Sequence, residues 1–214
     1  MSPGIPFTDF FRTASTWFTS SQPEEQTPLR AELLSADQMA LHAKTLAGAH
    51  ELNPSRTPDL LLKRLDANER VLIGTCKLLM ATLKAKQRVA PSGEWLLDNF
   101  YLIEEQIRTA RRHLPKGYSR ELPRLALGAS RGLPRVYDIA LNAISHGDGR
   151  VDAETLGRFV AAYQTVTPLT LGEFWAIPIM LRLARIENLR RVSARITAAR
   201  RHLNHVQDWV SQLM

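Results

Sequence analysis

The 214-residue sequence has one cysteine, few aromatic residues and no long apolar run. With Cys76 alone, the chain has no internal disulfide and no cysteine-based zinc or iron–sulfur site. Aromatic residues make up 7% of the chain, and Leu and Ala dominate its apolar content, which favours helices over sheets. The two most apolar stretches, 71–83 and 174–184, are broken by Lys77 and Arg182. Both are shorter than the about 20 residues that a membrane span needs.

The charge balance is moderately basic. Lys and Arg together number 28 against 21 acidic residues, which gives a net charge of +7 and an isoelectric point near 10.0. A basic surface can bind nucleic acid, anionic lipid or an acidic protein. The excess is modest for a chain of this length, so an ordinary solvated surface is the simplest interpretation.

The chain divides into two regions of different composition. Residues 1–34 contain scattered prolines among many Ser, Thr and Gln residues, so we expect a flexible or partly helical N-terminal lead. Residues 35–214 carry apolar side chains at helical spacing, which predicts a helical domain. We expect an all-α, multi-helix bundle with a Pro- and Gly-containing connector near 114–133 and a long C-terminal helix. That last helix reaches residues 210–214 without a cap, which is typical of a truncated chain or of a chain that continues elsewhere.

Capping residues and prolines predict where the helices begin. Ser or Thr followed three residues later by Glu or Gln forms a capping box, and proline is favoured in the first helical turn. A tight turn is expected at 147–149, and a kink at Pro178. The predicted starts are Ser35 with Gln38, Thr57 with Pro58 (for a helix to about residue 87), Ser92 (for a helix over 94–113), Pro134, Asp152, and Thr170 with Glu173.

The segment 182–201 is rich in arginine. Apolar residues recur on the opposing side of the same segment, which predicts a basic amphipathic helix. Such a helix can face solvent, another protein segment or an anionic membrane surface. Nucleic acid is disfavoured, because no aromatic residues are interleaved to stack bases. The predicted basic face consists of Arg182, Arg185, Arg190, Arg191, Arg195, Arg200 and Arg201.

Candidate catalytic and metal-binding residues are few. Asp98 and Glu105 lie two helical turns apart, and paired carboxylates are what glycoside hydrolysis requires. Arginines follow them within two turns, so ion pairs along a helix explain the same acids more simply. His202 and His205 are accompanied by no set of further ligands. We therefore predict no catalytic residue, no metal site and no cofactor in this segment.

Several uncommon residue strings occur between about residues 92 and 191. They are EWLLDNF at 94–100, LPKGY at 114–118, LPRVY at 133–137, TPLTLGEFWAIP at 167–178 and IENLR at 186–190. Together, and in this order, they resemble the N-terminal region of bacterial cyclic β-1,2-glucan synthases. The resemblance covers roughly half of the chain.

This resemblance implies a part of a large inner-membrane glycosyltransferase that uses UDP-glucose to build and cyclise a β-1,2-glucan. The sequence has no membrane span, no Asp-x-Asp motif and no phosphorylase-like domain, so no catalytic residue can be carried over from the family. We expect a non-catalytic N-terminal helical segment that supports or regulates the synthase. Its expected partner is the remainder of the synthase or its membrane domain, at the cytoplasmic face of the bacterial inner membrane.

Two other functions stay open at this point. The first is a stand-alone basic adaptor that docks on an anionic membrane surface or a protein partner, and the second is a small carbohydrate-binding or glycan-processing enzyme. A binding site, if present, is predicted where polar and aromatic residues of the matched block converge, although core packing and ion pairing explain the same residues. These residues are Trp95, Asp98, Asn99, Arg135, Tyr137, Glu173 and Trp175.

Overall fold

The computed structural model describes residues 34–54, 58–146 and 151–213, with side chains described as far as residue 203. Within these ranges the chain forms seven α-helices and one two-stranded sheet, so the predicted all-α class is confirmed. The helices are α1 (Ala36–Ala49), α2 (Leu61–Lys84), α3 (Pro91–Asp98), α4 (Phe100–His113), α5 (Arg135–His146), α6 (Ala153–Gln164) and α7 (Leu171–Leu213); the strands are β1 (Leu52–Asn53) and β2 (Arg124–Leu125).

The long helix α7 lies at the centre of the larger core. It packs most extensively on α2 and α5, and also on α4. Its buried apolar residues recur every three or four positions, so one face of the helix is turned towards these neighbours. Buried members of this core include Leu65 and Leu72 of α2, Ile107 of α4, Val136 and Ile144 of α5, and Met180 and Ala184 of α7.

A second, smaller core joins α1 to α6. Met39, Ala43 and Ala47 lie four residues apart on α1 and are buried against α6. The small alanines let the two helices approach closely. Helix α5 supplies further side chains to this core and is therefore buried on two sides; the additional members include Ile139 and Ala143 of α5 and Phe159 and Tyr163 of α6.

Local capping confirms two of the predicted helix starts here, and a third is described with the site below. The Ser35 N–H donates to Oε1 of Gln38 at 2.8 Å, and the Gln38 N–H donates to the Ser35 hydroxyl at 3.4 Å. The Thr155 N–H donates to the Asp152 carboxylate at 2.7 Å. Each cap joins residues three positions apart, which is why the sequence alone predicts it.

The start of α2 differs from the prediction. The helix begins at Leu61 rather than at Pro58, because Oδ1 of Asp59 accepts a hydrogen bond from the Leu61 N–H at 3.2 Å. Thr57, the predicted cap, lies outside the described residues, as do the predicted turn at 147–149 and nearly all of the predicted lead over 1–34.

The single helix predicted over 94–113 is two helices in the structure. Helix α3 begins at Pro91, whose missing N–H suits the first helical position, so Ser92 is not the cap. The chain leaves helical geometry at Asn99, where φ is −104° and ψ is 8°. The Asn99 side-chain amide donates to the Trp95 carbonyl at 2.8 Å and so satisfies an acceptor at the end of α3.

The predicted connector is ordered by polar contacts. Strand β2 pairs antiparallel with β1, with Leu52 opposite Leu125. The buried Arg124 guanidinium donates to the Ser119 carbonyl at 3.1 Å, and the Ser119 hydroxyl donates to Asp59 at 2.6 Å. These contacts hold the connector against the start of α2.

Candidate functional site

Arg135 and Glu173, two of the predicted site residues, meet inside the bundle. The guanidinium Nε donates to Oε1 of Glu173 at 2.6 Å, and Nη2 donates to Oε2 at 2.8 Å. Arg135 is 2% exposed and Glu173 is 0% exposed. Hydrogen bonding to the carboxylate raises the pKa of Arg135. This is a buried, two-point ion pair between the starts of α5 and α7.

Glu173 also forms the predicted capping box of α7. Its Oε2 accepts from the Thr170 N–H at 2.8 Å, and the Thr170 hydroxyl accepts from the Glu173 N–H at 3.3 Å. Arg135 Nη2 donates in addition to the Pro168 carbonyl at 2.8 Å. The capping box therefore orients the Glu173 side chain towards the interior. The hydrogen bond from Arg135 to Pro168 joins the α6–α7 loop to α5.

The Arg135–Glu173 pair lies next to a series of hydrogen-bonded polar side chains that the sequence does not predict. Arg135 lies 6.0 Å from the centre of the Tyr163 ring, and the Tyr163 hydroxyl is 2.8 Å from Nδ1 of His50. Nε2 of His50 is 3.2 Å from Oδ2 of Asp138, whose Oδ1 accepts from the Ser130 hydroxyl. Since Ser130 donates to the carboxylate and not to the imidazole, His50 is not placed as its general base.

Glu187 forms the second buried ionic cluster. Its carboxylate is 0% exposed and accepts from Arg64 at 2.7 and 3.0 Å, from Arg190 at 2.9 Å and from Arg191 at 3.1 Å. Burial alone would raise the pKa of Glu187, but the hydrogen bonds and charges of Arg64 and Arg190 lower it to about 2. The cluster ties α2 to the middle of α7.

Tyr137 lies beside this second cluster. The side chain is 1% exposed, and burial together with the charge of Glu187 raises its pKa, while Arg64 opposes the rise. The structure thus places Tyr137 near Arg64 and Glu187. Arg64 is not among the predicted site residues, although its position three residues after Leu61 puts a cation at the edge of the buried stripe of α2.

The predicted residues Trp95, Asp98 and Asn99 lie elsewhere, at the junction of α3 and α4. Trp95 is 54% exposed, Asp98 is exposed, and the Asn99 amide is used within the junction. Arg135, Glu173 and Glu187 have their hydrogen-bond partners in other parts of the bundle. The seven predicted site residues are therefore spread over several places in the bundle.

Trp175 lies at a shallow cavity on the outside of α7. Its side chain is 74% exposed, whereas Glu173, two residues earlier, faces the interior. The cavity has a volume of about 230 Å³ and is lined by His113, Tyr118, Trp175, Pro178, Ile179 and Arg182. It combines aromatic side chains with a cation.

The predicted basic face is divided in the structure. Arg190 and Arg191 turn to Glu187, and Arg200 donates to the Arg88 carbonyl at 3.2 Å. Arg182 lines the cavity beside Trp175. The exposed members of the predicted face are Arg185, Arg195 and Arg201.

The buried carboxylates of Glu173 and Glu187 are both used in ion pairs with arginines. Among the described residues, no group of three or more His, Cys, Asp or Glu side chains is placed to hold a metal ion. Glu173 is held by Arg135 and by the Thr170 N–H, and Glu187 is held by three arginines.

The chain is an all-α bundle held together by two internal arginine–glutamate clusters. Its sequence is related to the sequences of the cyclic glucan synthases. The chain is 32% identical over 190 residues to the cyclic beta-(1,2)-glucan synthase NdvB of Rhizobium meliloti (strain 1021), so the resemblance seen in the sequence is confirmed. The match covers 86% of this chain and 7% of that protein, so the chain spans a small part of its relative's length. No family model matches the chain.

None of the helices in the described ranges has the length and apolar character needed to cross a membrane.

Proposed function

We propose that the chain is a non-catalytic helical segment of a cyclic β-1,2-glucan synthase that supports or regulates UDP-glucose-dependent glucan synthesis. The observation that carries this proposal is the pattern of the match: 86% of the chain aligns with only 7% of the relative. The alignment covers nearly the whole of this chain but only a small share of the enzyme. This difference supports the interpretation that the chain is one module of such an enzyme.

The buried ionic clusters support a non-catalytic role. Glu173 and Glu187 are both 0% exposed, and each is held by at least one arginine at hydrogen-bond distance. A catalytic carboxylate must reach the proton that it transfers. These carboxylates instead join helices that are far apart in the sequence, so the matched block carries residues that fix the shape of the module.

The exposed apolar residues support a contact with the remainder of the synthase or its membrane domain. Around the junction of α3 and α4, Trp95 is 54% exposed, Tyr101 is 64% exposed and Leu102 is 42% exposed. Large apolar side chains grouped on a surface mark interaction sites. We place the module at the cytoplasmic face of the bacterial inner membrane, without a cofactor of its own.

A reconstitution assay tests the proposal. The Rhizobium meliloti synthase is prepared in detergent without the residues that match this chain, and glucan formation from UDP-glucose is measured with and without the purified chain. The expected result is reduced synthesis by the shortened enzyme, partial recovery when the chain is added, and no glucan from the chain alone.

Two outcomes would overturn the proposal. Glucan formation by the chain alone would make it a catalyst. A shortened synthase as active as the intact enzyme, and unaffected by the added chain, would favour the stand-alone adaptor instead. Chain unfolded by heat before addition is the matched control for a non-specific protein effect.

A further inference from the structure

One side of α7 faces away from the bundle and carries both apolar and basic side chains. Leu171, Trp175, Pro178, Arg182 and Arg185 follow one another at spacings of four and three residues, so they share one side of the helix. We call this set the Trp175 stripe. Leu171 and Trp175 are about three-quarters exposed, at 73% and 74%, and Pro178 and Arg185 are also exposed. The stripe is apolar at the start of α7 and basic two turns later.

The surroundings of the stripe add positive charge. His113 and Tyr118 line the cavity together with Trp175, and Lys116, between them in the chain, is exposed. Arg182 also lines this cavity, so it adds a cation beside Trp175.

The shape and charge of this surface fit a lipid bilayer. Leu171 and Trp175 project from the helix, and projecting side chains can enter a soft interface without a matching pocket. Tryptophan favours the boundary between lipid and water, and Lys and Arg beside apolar anchors are attracted to anionic head groups. The basic residues that α7 uses inside the bundle, Arg190 and Arg191, are not available for this contact.

We propose that the Trp175 stripe is a docking face for an anionic membrane surface. Leu171 and Trp175 enter the interfacial layer, while Arg182, Arg185 and Lys116 contact head-group phosphates. This inference rests on the proposed function, because it gives the synthase module a way to lie against the membrane in which its larger partner works.

Vesicle co-sedimentation tests the docking face with the full chain. The vesicles contain either phosphatidylcholine alone or equal parts of phosphatidylcholine and phosphatidylglycerol. We expect binding to the anionic vesicles at low salt, weaker binding at high salt, and little binding to the neutral vesicles. Absence of binding to the anionic vesicles would overturn the proposal.

Matched variants locate the contact. Arg185→Gln with Lys116→Gln should weaken binding to anionic vesicles roughly thirtyfold, since each cation near the surface contributes on the order of a factor of five. The control, Arg195→Gln with Arg201→Gln, removes the same charge from exposed positions outside the stripe and should change binding little. Equal losses in both double variants would overturn the proposal, because they would indicate a response to net charge alone.

The apolar part of the stripe has its own test. Trp175→Ser should weaken binding roughly tenfold, whereas Trp95→Ser, at the exposed junction of α3 and α4, should not. Unchanged binding of Trp175→Ser would overturn the proposal. Circular dichroism of each variant confirms that it is folded. The synthase assay in detergent contains no bilayer, so a failure of lipid docking is distinguishable from a failure of the proposed function.

Discussion

Arg64 and Glu187 are 123 residues apart in the chain and are joined by two hydrogen bonds, one of 2.7 Å from Nη2 to Oε1 and one of 3.0 Å from Nε to Oε2. Arg190 and Arg191 reach the same carboxylate from α7 itself. One fully buried acid therefore neutralises part of the charge of three guanidinium groups. Several of the arginines that make the chain basic are thus directed at a buried carboxylate.

Glu187→Gln should destabilise the fold strongly. The substitution removes the buried charge to which Arg64, Arg190 and Arg191 donate hydrogen bonds, and we expect a loss of about 3 kcal/mol in the free energy of unfolding. Urea denaturation followed by circular dichroism measures the change. The matched control is Glu154→Gln, in an ion pair with Arg158 whose side chains are 76% and 61% exposed; it should cost no more than about 0.5 kcal/mol. Equal losses would contradict the account.

The same carboxylate should make stability depend on pH in the acidic range. The pKa of Glu187 is about 2 in the folded chain against an ordinary value of 4.5. Because the folded pKa is the lower one, the charged form stabilises the fold above the ordinary pKa, and this contribution is lost as the pH falls towards 2. The contribution is on the order of 3 kcal/mol.

Comparison of the wild-type chain with Glu187→Gln isolates that pH dependence. The difference between their free energies of unfolding should be constant above about pH 5 and should shrink steadily as the pH is lowered towards 3. A difference that stays constant over this range would show that Glu187 does not titrate as described.

Glu173→Gln should lower the free energy of unfolding by more than loss of the helix cap alone does. The variant loses the charge that pairs with Arg135, and we expect a decrease of about 3 kcal/mol in the free energy of unfolding. Thr170→Ala removes only the hydroxyl of the capping box and should cost about 1 kcal/mol. Urea denaturation of both variants provides the comparison. A larger loss in Thr170→Ala than in Glu173→Gln would refute the importance of the buried pair.

Cys76 should be unreactive in the native chain. The thiol is 3% exposed, and burial, with a smaller contribution from the charge of Glu104, raises its pKa to about 12. The thiolate is the reactive form, so a chromogenic disulfide reagent at neutral pH should label the protein only after denaturation. Because this is the sole cysteine, the release of chromophore reports on one site. Rapid labelling of the folded chain would contradict the core packing described here.

The features that the sequence predicted best are those made by neighbouring residues. The capping boxes of α1 and α7 and the Asp152 cap each join positions three apart, and all three are present. The predicted start of α2 is wrong. Asp59, which lies before the observed start, also accepts hydrogen bonds from Gly117 and Ser119 of the distant connector. Tertiary contacts of this kind leave no mark in the local sequence.

The candidate site was predicted only in part for the same reason. Arg135 and Glu173 were both named, and they meet. Their neighbours are His50, just after α1, and Tyr163 of α6, and the partner of Glu187 is Arg64 of α2. The roles of these residues depend on how α1, α2 and α6 pack. The sequence of an arginine-rich helix likewise predicts one continuous basic face. Only the structure gives the partner of each guanidinium.

Segment replacement in the relative tests the central claim most directly. The residues of the Rhizobium meliloti synthase that match this chain are either deleted or replaced by this chain, and cyclic glucan is quantified from membranes supplied with UDP-glucose. We expect that deletion lowers glucan formation, that replacement restores it, and that replacement with a chain carrying Glu187→Gln restores it less. Undiminished glucan formation after deletion would contradict the claim that this helical module supports the synthase.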